Sequence, residues 1–416
     1  MRALIIGYVW PEPNSSAAGR RILDIIAILQ ELDAEVTFAS AAVLGEHSID
    51  LAAINVDAVS ITLNCSSFDQ FIGQLQPDIV VFDRFLMEEQ FAWRLERSCP
   101  GALRVLDSED LHCLRHARHQ ALKQQRKMLA SDLMCDLAVR EIASIWRCDL
   151  SLIISEFEIS LLKEFFGVDA GVLHYLPLLS KFKAEDQQQW PDFEQRKHLL
   201  LLGNFRHAPN WDAVQYLRSA IWPQIRQQLP DVECHVYGAY PPPKALQLHS
   251  DKLGFLVKGW AADATVVQRQ SRLCLAPLRF GAGQKGKLLE AMENGTPSVC
   301  SEIGAEAMSS GLSWPGRVVA DSENFASDFV KACCHLYTDQ NDWRLAQQQG
   351  LETLQRGFDR QTYGDNLKMR LAELQWDVEG HRLKHFNGLM LRHHSLKSHQ
   401  YMSQWIEAKN TLADKG

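Results

Sequence analysis

Residues 275–308 read LAPLRFGAGQKGKLLEAMENGTPSVCSEIGAEAM. An apolar run leads into a loop with three glycines and two lysines, and residues typical of a helix follow. Glycine lets a backbone approach a ligand closely, and the free N–H groups and dipole of a helix start favour an anion. We therefore predict a phosphate site in this glycine–lysine loop, residues 281–287, with a tight turn bearing solvated lysines as the alternative. Its candidate binding residues are Gly281, Gly283, Lys285 and Lys287.

The helix that follows the loop adds a carboxylate, Glu290, about one turn beyond Lys287. Its oxygens would accept hydrogen bonds from a ribose diol; the alternative is a surface i, i+3 pair of these two side chains, worth roughly 0.2–0.5 kcal/mol. Residues 281–287 also spell G-x-x-x-x-G-K, the phosphate-binding pattern of nucleoside triphosphatases. Leu288 stands where that pattern needs a hydroxyl for Mg²⁺, so we do not favour this interpretation.

Apolar strand-like runs alternate with helix-like segments along the chain, which is typical of an α/β fold with parallel sheets. The alternation begins with RALIIGYVW and starts afresh with HLLLLGNF at His198, after a polar, proline-marked stretch. We therefore predict an N-terminal domain over residues 1–178, a linker over 179–197 and a C-terminal domain over 198–355. Residues 356–416 are expected to form a helix that returns towards the first domain and a mixed tail.

The composition indicates a globular protein and argues against several classes of partner. The 416 residues are 46% hydrophobic and 23% charged, and the net charge of -8 argues against nucleic acid. There is neither a signal-like start nor the run of roughly 18 apolar residues that a spanning helix needs, so we expect a cytoplasmic protein. The ten scattered cysteines are expected to be reduced. His381 and His385 lack a third ligand at a recognisable spacing, so no metal site is predicted.

Several stretches of the second half occur together in one known family. They read HLLLLGNFRHAPNWDAVQYL, HVYG and VKGWAADATVVQRQSRLCLAPLRFGAGQKGKLLEAMENGTPSVCSEIGAEAM. Residues 198–308 resemble the second domain of the group 1, family four glycosyltransferases of GT-B fold, and the first half is similar more loosely. The resemblance implies two Rossmann-like α/β domains that face each other across a cleft. It also implies a retaining enzyme that holds the nucleotide sugar mainly on the second domain and the acceptor mainly on the first.

The resemblance assigns roles to individual residues. Glu290 corresponds to the second glutamate of the family's E-x7-E motif, which binds the nucleotide ribose, whereas Ala282 stands in place of the first glutamate. Arg206 is a candidate diphosphate ligand, with an exposed loop arginine as the alternative. In the first domain, the loop PNSSAAGRR would face the sugar phosphate through Gly19 and Arg20.

A cluster of acidic residues and a histidine, DSEDLH, directly follows a predicted strand. A histidine near this location in similar enzymes approaches the donor sugar, so we assign His112 to the catalytic site. We expect the neighbouring Asp110 to orient the imidazole and to raise its pKa. The alternative is a helix-capping aspartate beside a surface histidine.

These observations predict a transferase that moves a sugar from a UDP- or GDP-sugar to a hydroxyl of a saccharide, lipid-linked or protein acceptor. No cofactor is expected, and no metal, since a D-x-D pair at a strand end is missing. A contact of the tail with a membrane surface or with a second copy of the chain is a further candidate. Two alternatives stay open at this point, namely a catalytically silent GT-B scaffold and a GT-B nucleotide-sugar epimerase.

Overall fold

Two parallel β-sheets organise the chain in a computed structural model, which describes residues 1–309 and 311–413. Buried apolar runs form most of the inner strands, as expected for sheets covered on both faces. In the first sheet the order is β3-β2-β1-β4-β5-β6-β7, and in the second it is β10-β9-β8-β11-β12-β13. The strands are β1 (Arg2–Gly7), β2 (Glu35–Ser40), β3 (Val56–Ser60), β4 (Ile79–Asp83), β5 (Leu103–Asp107), β6 (Leu150–Ile153), β7 (Leu173–Tyr175), β8 (Lys197–Leu202), β9 (Cys234–Tyr237), β10 (Phe255–Gly259), β11 (Ser271–Ala276), β12 (Ser298–Ser301) and β13 (Gly316–Val319).

Helices connect the strands and cover the sheets. They are α1 (Ala17–Gln30), α2 (Ser67–Leu75), α3 (Phe85–Ser98), α4 (His112–Lys123), α5 (Asp136–Arg147), α6 (Glu156–Glu164), α7 (Ala208–Tyr216), α8 (Trp222–Gln228), α9 (Pro243–Leu246), α10 (Ala264–Gln270), α11 (Gly286–Glu293), α12 (Glu302–Ala305), α13 (Phe325–Thr338), α14 (Gln340–Gly357), α15 (Arg360–Trp376), α16 (Val378–Lys384) and α17 (Phe386–Ala413). Within the described ranges, none has the length and apolarity that crossing a bilayer requires.

Both sheets have the Rossmann-type strand order. The direction of the strand order reverses between β1 and β4 in the first sheet and between β8 and β11 in the second, which gives each sheet a topological switch point. Ligands of such sheets bind at the carboxyl ends of the strands. Loops at those ends of the two sheets contact each other: the Tyr240 hydroxyl after β9 donates to Glu12 Oε1 after β1, at 2.7 Å. The predicted α/β fold with two Rossmann-like domains facing each other is thereby confirmed.

The chain passes between the two sheets twice, at neighbouring points. Ser180 N donates to the carbonyl of Phe358 at 2.8 Å, so the outgoing and returning segments pair. After this crossing α15 packs against α1, and α17 packs against α3 and α5 of the first domain. The tail from Asp377, which shows no clear period in sequence, forms α16 and α17. The last three residues of the predicted segment 356–416 lie outside the described residues.

A buried carboxylate anchors this tail to the first domain. Asp149 accepts hydrogen bonds from the guanidinium groups of Arg382 and Arg392 and from Arg104 N, at 2.6–2.9 Å. Burial alone would raise the pKa of Asp149, but the two arginines hold it below its usual range. His381 Nε2 bonds the carbonyl of Asp149 at 2.8 Å, and the ring centroids of His381 and His385 lie 4.5 Å apart with the rings tilted to each other. His381 and His385 therefore belong to the network of contacts that anchors the tail to the first domain.

Replacing Asp149 by Ala should destabilise the protein by about 3–5 kcal/mol, because two arginines would remain buried without their partner. Urea denaturation should show the loss, and amide exchange should show faster opening of α16 and α17. The control Asp328→Ala removes a surface partner of Lys331 and should change stability by no more than about 0.5 kcal/mol. Equal stability of the two variants would contradict the anchoring role.

Candidate functional site

The glycine–lysine loop follows β11, includes the first residues of α11 and is largely buried between the two domains. Gly283 has φ +61°, a left-handed conformation that favours glycine. A Cβ built at Gly283 would lie 2.8 Å from the Cβ of Asp110 in the first domain. Another built at Gly286 would lie 2.6 Å from the Cβ of Ala17. The loop therefore needs these glycines because the first domain approaches it closely, near the starts of both α11 and α1.

Both lysines of the loop turn their ammonium groups inward. Lys285 Nζ donates to the carbonyl of Gly283 at 2.5 Å, and Lys287 Nζ donates to Asn210 Oδ1 at 2.7 Å. Burial lowers the pKa of Lys285 and lowers that of Lys287 to about 8. Among the first N–H groups of α11, which begins at Gly286, that of Leu288 donates to the carbonyl of Lys285 at 2.8 Å, whereas those of Gly286 and Lys287 have no intrahelical partner. Cations and free amide hydrogens thus lie together, as an anionic ligand would require.

Glu290 lies on the same helix, and burial raises its pKa to about 7 while Arg20 opposes the shift. Arg20 itself forms a two-pronged ion pair with Glu293, at 2.8 and 2.6 Å, and also bonds the carbonyl of Leu179. Glu293 further accepts from Ser180 Oγ at 3.0 Å. The structure thus gives Arg20 a carboxylate partner in the second domain where the sequence predicts a phosphate contact.

Gly19 and Arg206 lie at two other edges of the cleft. A Cβ at Gly19 would lie 2.5–2.6 Å from backbone atoms of Glu12, so this glycine permits tight packing of the loop after β1. The guanidinium of Arg206 lies over the Tyr240 ring, 3.5 Å from its centroid, and the side chain is exposed. Trp260 Nε1 donates to the carbonyl of Asn14 at 3.0 Å, and Asn14 lies in the same loop as Glu12. Arg206 is therefore placed at the rim of the contact between the domains.

His112 begins α4 at the carboxyl end of β5. Glu141 accepts from the amides of His112 and Cys113 at 2.9 and 2.8 Å and so caps the helix. The imidazole Nε2 lies 3.6 Å from Asp110 Oδ1, beyond a normal hydrogen bond, and Asp110 pairs with Arg115. Burial lowers the pKa of His112 to about 4 despite Asp110. The predicted rise in this pKa is wrong, because desolvation outweighs the neighbouring carboxylate.

Two further residues of the first domain have a left-handed backbone where strands end. Arg84, after β4, has φ +71°, and Glu109, after β5, has φ +64°. Burial raises the pKa of Glu109, opposed by Arg84, and its Oε1 has no hydrogen-bond partner among the described residues. Strain at non-glycine residues is typical of functional sites. The sequence places Glu109 in an acidic cluster but contains no signal for the strain or for Arg84.

First-domain side chains hold the backbone of the glycine–lysine loop, and we call this contact surface the interdomain seam. Its hydrogen-bonding side chains include Arg118 and Glu158 of the first domain and Gln284 and Glu306 of the second. Arg118 donates to the carbonyl of Gly281 at 2.8 Å and forms a two-pronged pair with Glu306. Gln284 Oε1 accepts from the amide of Leu178 at 2.8 Å.

Glu158 on α6 is the fully buried carboxylate of this seam. Its Oε1 accepts from the amides of Leu111, in its own domain, and Gly283, in the other, at 3.0 and 2.8 Å. Burial and the nearby Asp110 raise its pKa to about 8. Its Oε2 has no partner within the described part of the chain. Sequence analysis misses this residue, because nothing in SEFEIS distinguishes Glu158 from its exposed neighbour Glu156.

Ala282 belongs to the apolar cluster of the first domain that also contains Leu111 and Ile153. The residue that replaces the family's first glutamate therefore packs across the seam.

Groups that could ligate a metal lie elsewhere in the described residues. They are His198, Glu233 and His235, and His335, Asp339 and Asp342. His198 and His235 are near the amino ends of β8 and β9, opposite the loops that meet the first domain. His198 Nδ1 accepts from Glu233 N at 3.1 Å, which leaves the proton of a neutral ring on Nε2. These groups therefore do not contribute to the candidate site.

Comparisons with known proteins agree with the fold. Residues 196–339 match the family model Glycosyl transferases group 1, and no curated protein sequence matches the chain. Similar structures include sucrose-phosphate synthase from Thermosynechococcus elongatus, with TM-score 0.66, 14% identity and coverage of 90% of this chain and 99% of that one. Anabaena HepE in complex with UDP and glucose has a TM-score of 0.65 and 14% identity, with coverage of 90% of this chain and 100% of that one. The pneumococcal O-GlcNAc transferase GtfA in complex with UDP and GlcNAc has a TM-score of 0.64 and 11% identity, with coverage of 90% of this chain and 99% of that one. These likenesses establish the GT-B fold.

The seam predicts unequal roles for Glu158 and Glu156, two neighbouring glutamates of α6. Glu158→Ala should leave the amides of Leu111 and Gly283 unpaired, lower stability by about 1–3 kcal/mol and speed exchange of the Gly283 amide. Glu158→Gln retains an acceptor for both amides and should behave more like wild type.

The matched control is Glu156→Ala on the exposed face, which should change stability by less than about 0.5 kcal/mol. Urea denaturation and amide exchange report both effects. Unchanged protection of Gly283 in Glu158→Ala would show that Glu158 does not hold the loop.

Proposed function

We propose that this chain, whose residues 196–339 match the family model of the group 1 glycosyl transferases, transfers a sugar from a UDP- or GDP-sugar to an acceptor hydroxyl. We further propose that the anomeric configuration is retained and that no metal takes part. The observation that carries the proposal is the pair of inward lysines at the start of α11, where the two domains meet; Lys285 is buried and Lys287 is half-buried. UDP in two similar structures favours UDP-sugars as the first donors to test.

The lysines suit the leaving group of this reaction. Cleavage of the donor leaves a nucleoside diphosphate whose terminal phosphate gains negative charge, while positive charge grows on the sugar. Lys285, Lys287 and the amides of α11 are already oriented by the fold, so they would stabilise that charge without reorganising during the step. A bound diphosphate would also stabilise the charged form of Lys287, which burial disfavours.

Glu290 supplies the second recognition element. It lies on α11 close to Lys287, and a carboxylate there accepts two hydrogen bonds from a ribose diol. Burial raises the pKa of Glu290 to about 7. Hydrogen bonds donated by the ribose hydroxyls would favour its ionised form. In this proposal the glycine–lysine loop binds the diphosphate of the nucleotide and Glu290 binds its ribose.

His112 is neutral at physiological pH because its pKa is lowered to about 4. A neutral imidazole can donate or accept one hydrogen bond, so His112 would orient a sugar hydroxyl rather than stabilise charge. In a retaining transfer without a protein base, the acceptor hydroxyl forms a bond to the anomeric carbon, the bond to the diphosphate breaks, and the departing phosphate takes the hydroxyl proton. No first-domain residue is assigned as the base.

One structural feature favours the alternative of a catalytically silent scaffold. The amide of Gly283 is occupied by Glu158, and Ala282 packs into the first domain, so part of the loop is engaged without a ligand. A scaffold would show neither nucleotide-dependent stabilisation nor turnover. The experiment below separates this alternative from the transferase.

Thermal unfolding with UDP, GDP and their sugars, in EDTA, tests the proposed function. One nucleotide should stabilise the protein by about 2.7 kcal/mol at a hundredfold excess over its Kd. Lys287→Ala should abolish most of this effect, whereas Lys244→Ala, an exposed lysine of the same domain, should preserve it.

Incubation of the stabilising donor with simple saccharides should then give a product of the same anomeric configuration by NMR, still in EDTA. Nucleotide binding without product would favour the scaffold. An equal response of Lys287→Ala and wild type would refute the assignment of the loop.

The lowered pKa of Lys287 predicts how nucleotide affinity depends on pH. Below about pH 8 the side chain is charged in the free protein, and above it the charge is lost, while a terminal phosphate with a pKa of about 6 stays ionised. Affinity should therefore fall towards tenfold per pH unit above pH 8.

Lys287→Arg keeps its charge throughout this range and should give a flatter profile between pH 7 and 9.5. Isothermal titration calorimetry measures both proteins. Parallel profiles would mean that another group controls the pH dependence.

A further inference from the structure

The helix α17 is seated on the first domain through one of its faces. Gly388 approaches the domain so closely that a Cβ there would lie 2.4 Å from the carbonyl oxygen of Trp146. Arg392 donates to the carbonyl of Arg147 at 2.6 Å, and Leu396 is buried. The orientation of the helix about its own axis is therefore fixed.

The opposite face exposes a row of large apolar side chains. Their exposed fractions are 70% for Phe386, 44% for Met390, 66% for Tyr401, 60% for Trp405 and 72% for Leu412. Successive members, with His394 and Lys397 between them, follow at intervals of three, four or seven residues, which places them along one side of a helix. We call this row the outer stripe; at 1.5 Å per residue it is roughly 39 Å long.

The charge on this helix face is positive. Lys397 lies within the outer stripe, and Lys409 Nζ lies 5.4 Å from the centroid of the Trp405 ring. Between residues 386 and 413 the single carboxylate is Glu407, which accepts from the amide of Ser66 at 2.7 Å on the seated side. The outer stripe is therefore basic and aromatic in a chain whose net charge is -8.

We propose that the outer stripe docks this protein onto the surface of an anionic lipid bilayer. Tryptophan and tyrosine are enriched at membrane interfaces, and Phe, Met and Leu gain from burial among the acyl chains near the head groups. Lysines beside them are attracted to anionic lipids. The helix would lie flat on the surface, held on the first domain by its seated face.

The charge distribution disfavours a second copy of the chain as the occupant. A symmetric dimer brings the same patch of both copies together, and helices related by a two-fold axis that is perpendicular to them near the helix centre pair in antiparallel fashion. Lys397 lies close to that centre, so the two lysines would approach each other without a carboxylate on the outer stripe to pair with them. A bilayer of negatively charged lipids has the complementary charge.

Flotation of the full-length chain with vesicles tests the proposal. Vesicles of phosphatidylcholine with one third phosphatidylglycerol should carry the protein, pure phosphatidylcholine vesicles should carry at least tenfold less, and high salt should release it. Phe386→Ser with Trp405→Ser, and separately Lys397→Glu with Lys409→Glu, should each reduce binding at least tenfold. Their melting temperatures should stay unchanged, because all four side chains are exposed.

Matched controls are Leu345→Ser, which removes an exposed apolar residue from α14, and Lys331→Glu, which reverses an exposed charge on α13. Both should bind vesicles as wild type does. Failure of the wild type to float, or equal binding by the stripe variants, would overturn the proposal. So would a dimer in light scattering that the Phe386 and Trp405 changes dissociate, since the stripe would then be covered by a second copy.

Discussion

The burial of a polar loop between two domains is the constraint on which the rest of the structure depends. A loop removed from water must have its N–H and C=O groups paired, and loops normally avoid this cost by lying on the surface. Here the first domain provides the partners: Arg118 for the carbonyl of Gly281 and Glu158 for the amide of Gly283. The shape of the glycine–lysine loop is consequently a property of both domains, although its residues belong to the second.

The same burial sets the electrostatics. Desolvation moves each titratable group towards neutrality, so the pKa of Lys287 falls to about 8 while those of Glu290 and Glu158 rise to about 7 and 8. Several groups near neutral titration in one place are typical of functional sites. An anionic ligand would stabilise the lysine charge and make up for part of the desolvation cost. In the proposed transfer, donor binding and the contact between the domains would therefore support each other.

The sequence predicts those parts of the site whose residues are neighbours along the chain. The strand, the glycines, the lysines and Glu290 follow one another within a few positions, so their placement needs only the strand–loop–helix pattern. Arg20 shows the limit, since its partner Glu293 is distant in sequence and becomes a neighbour only when the domains meet. The prediction of a raised pKa for His112 fails for a related reason: the sequence shows the neighbouring Asp110, but it does not show how deeply His112 is buried. In α17, large apolar residues on both the seated and exposed faces obscure the helical period.

Ala282 connects the family pattern to this constraint. Its side chain lies in the apolar cluster of the first domain, so a glutamate there would lose those contacts and bring a second carboxylate into a seam that already contains Glu158. Two buried carboxylates in one seam would repel each other and raise each other's pKa. The small residue at 282 thus avoids placing a second carboxylate in the seam that Glu158 occupies. If the proposed donor site operates, the acidic group beside its loop comes from the first domain, and it is in place only while the two domains remain in contact.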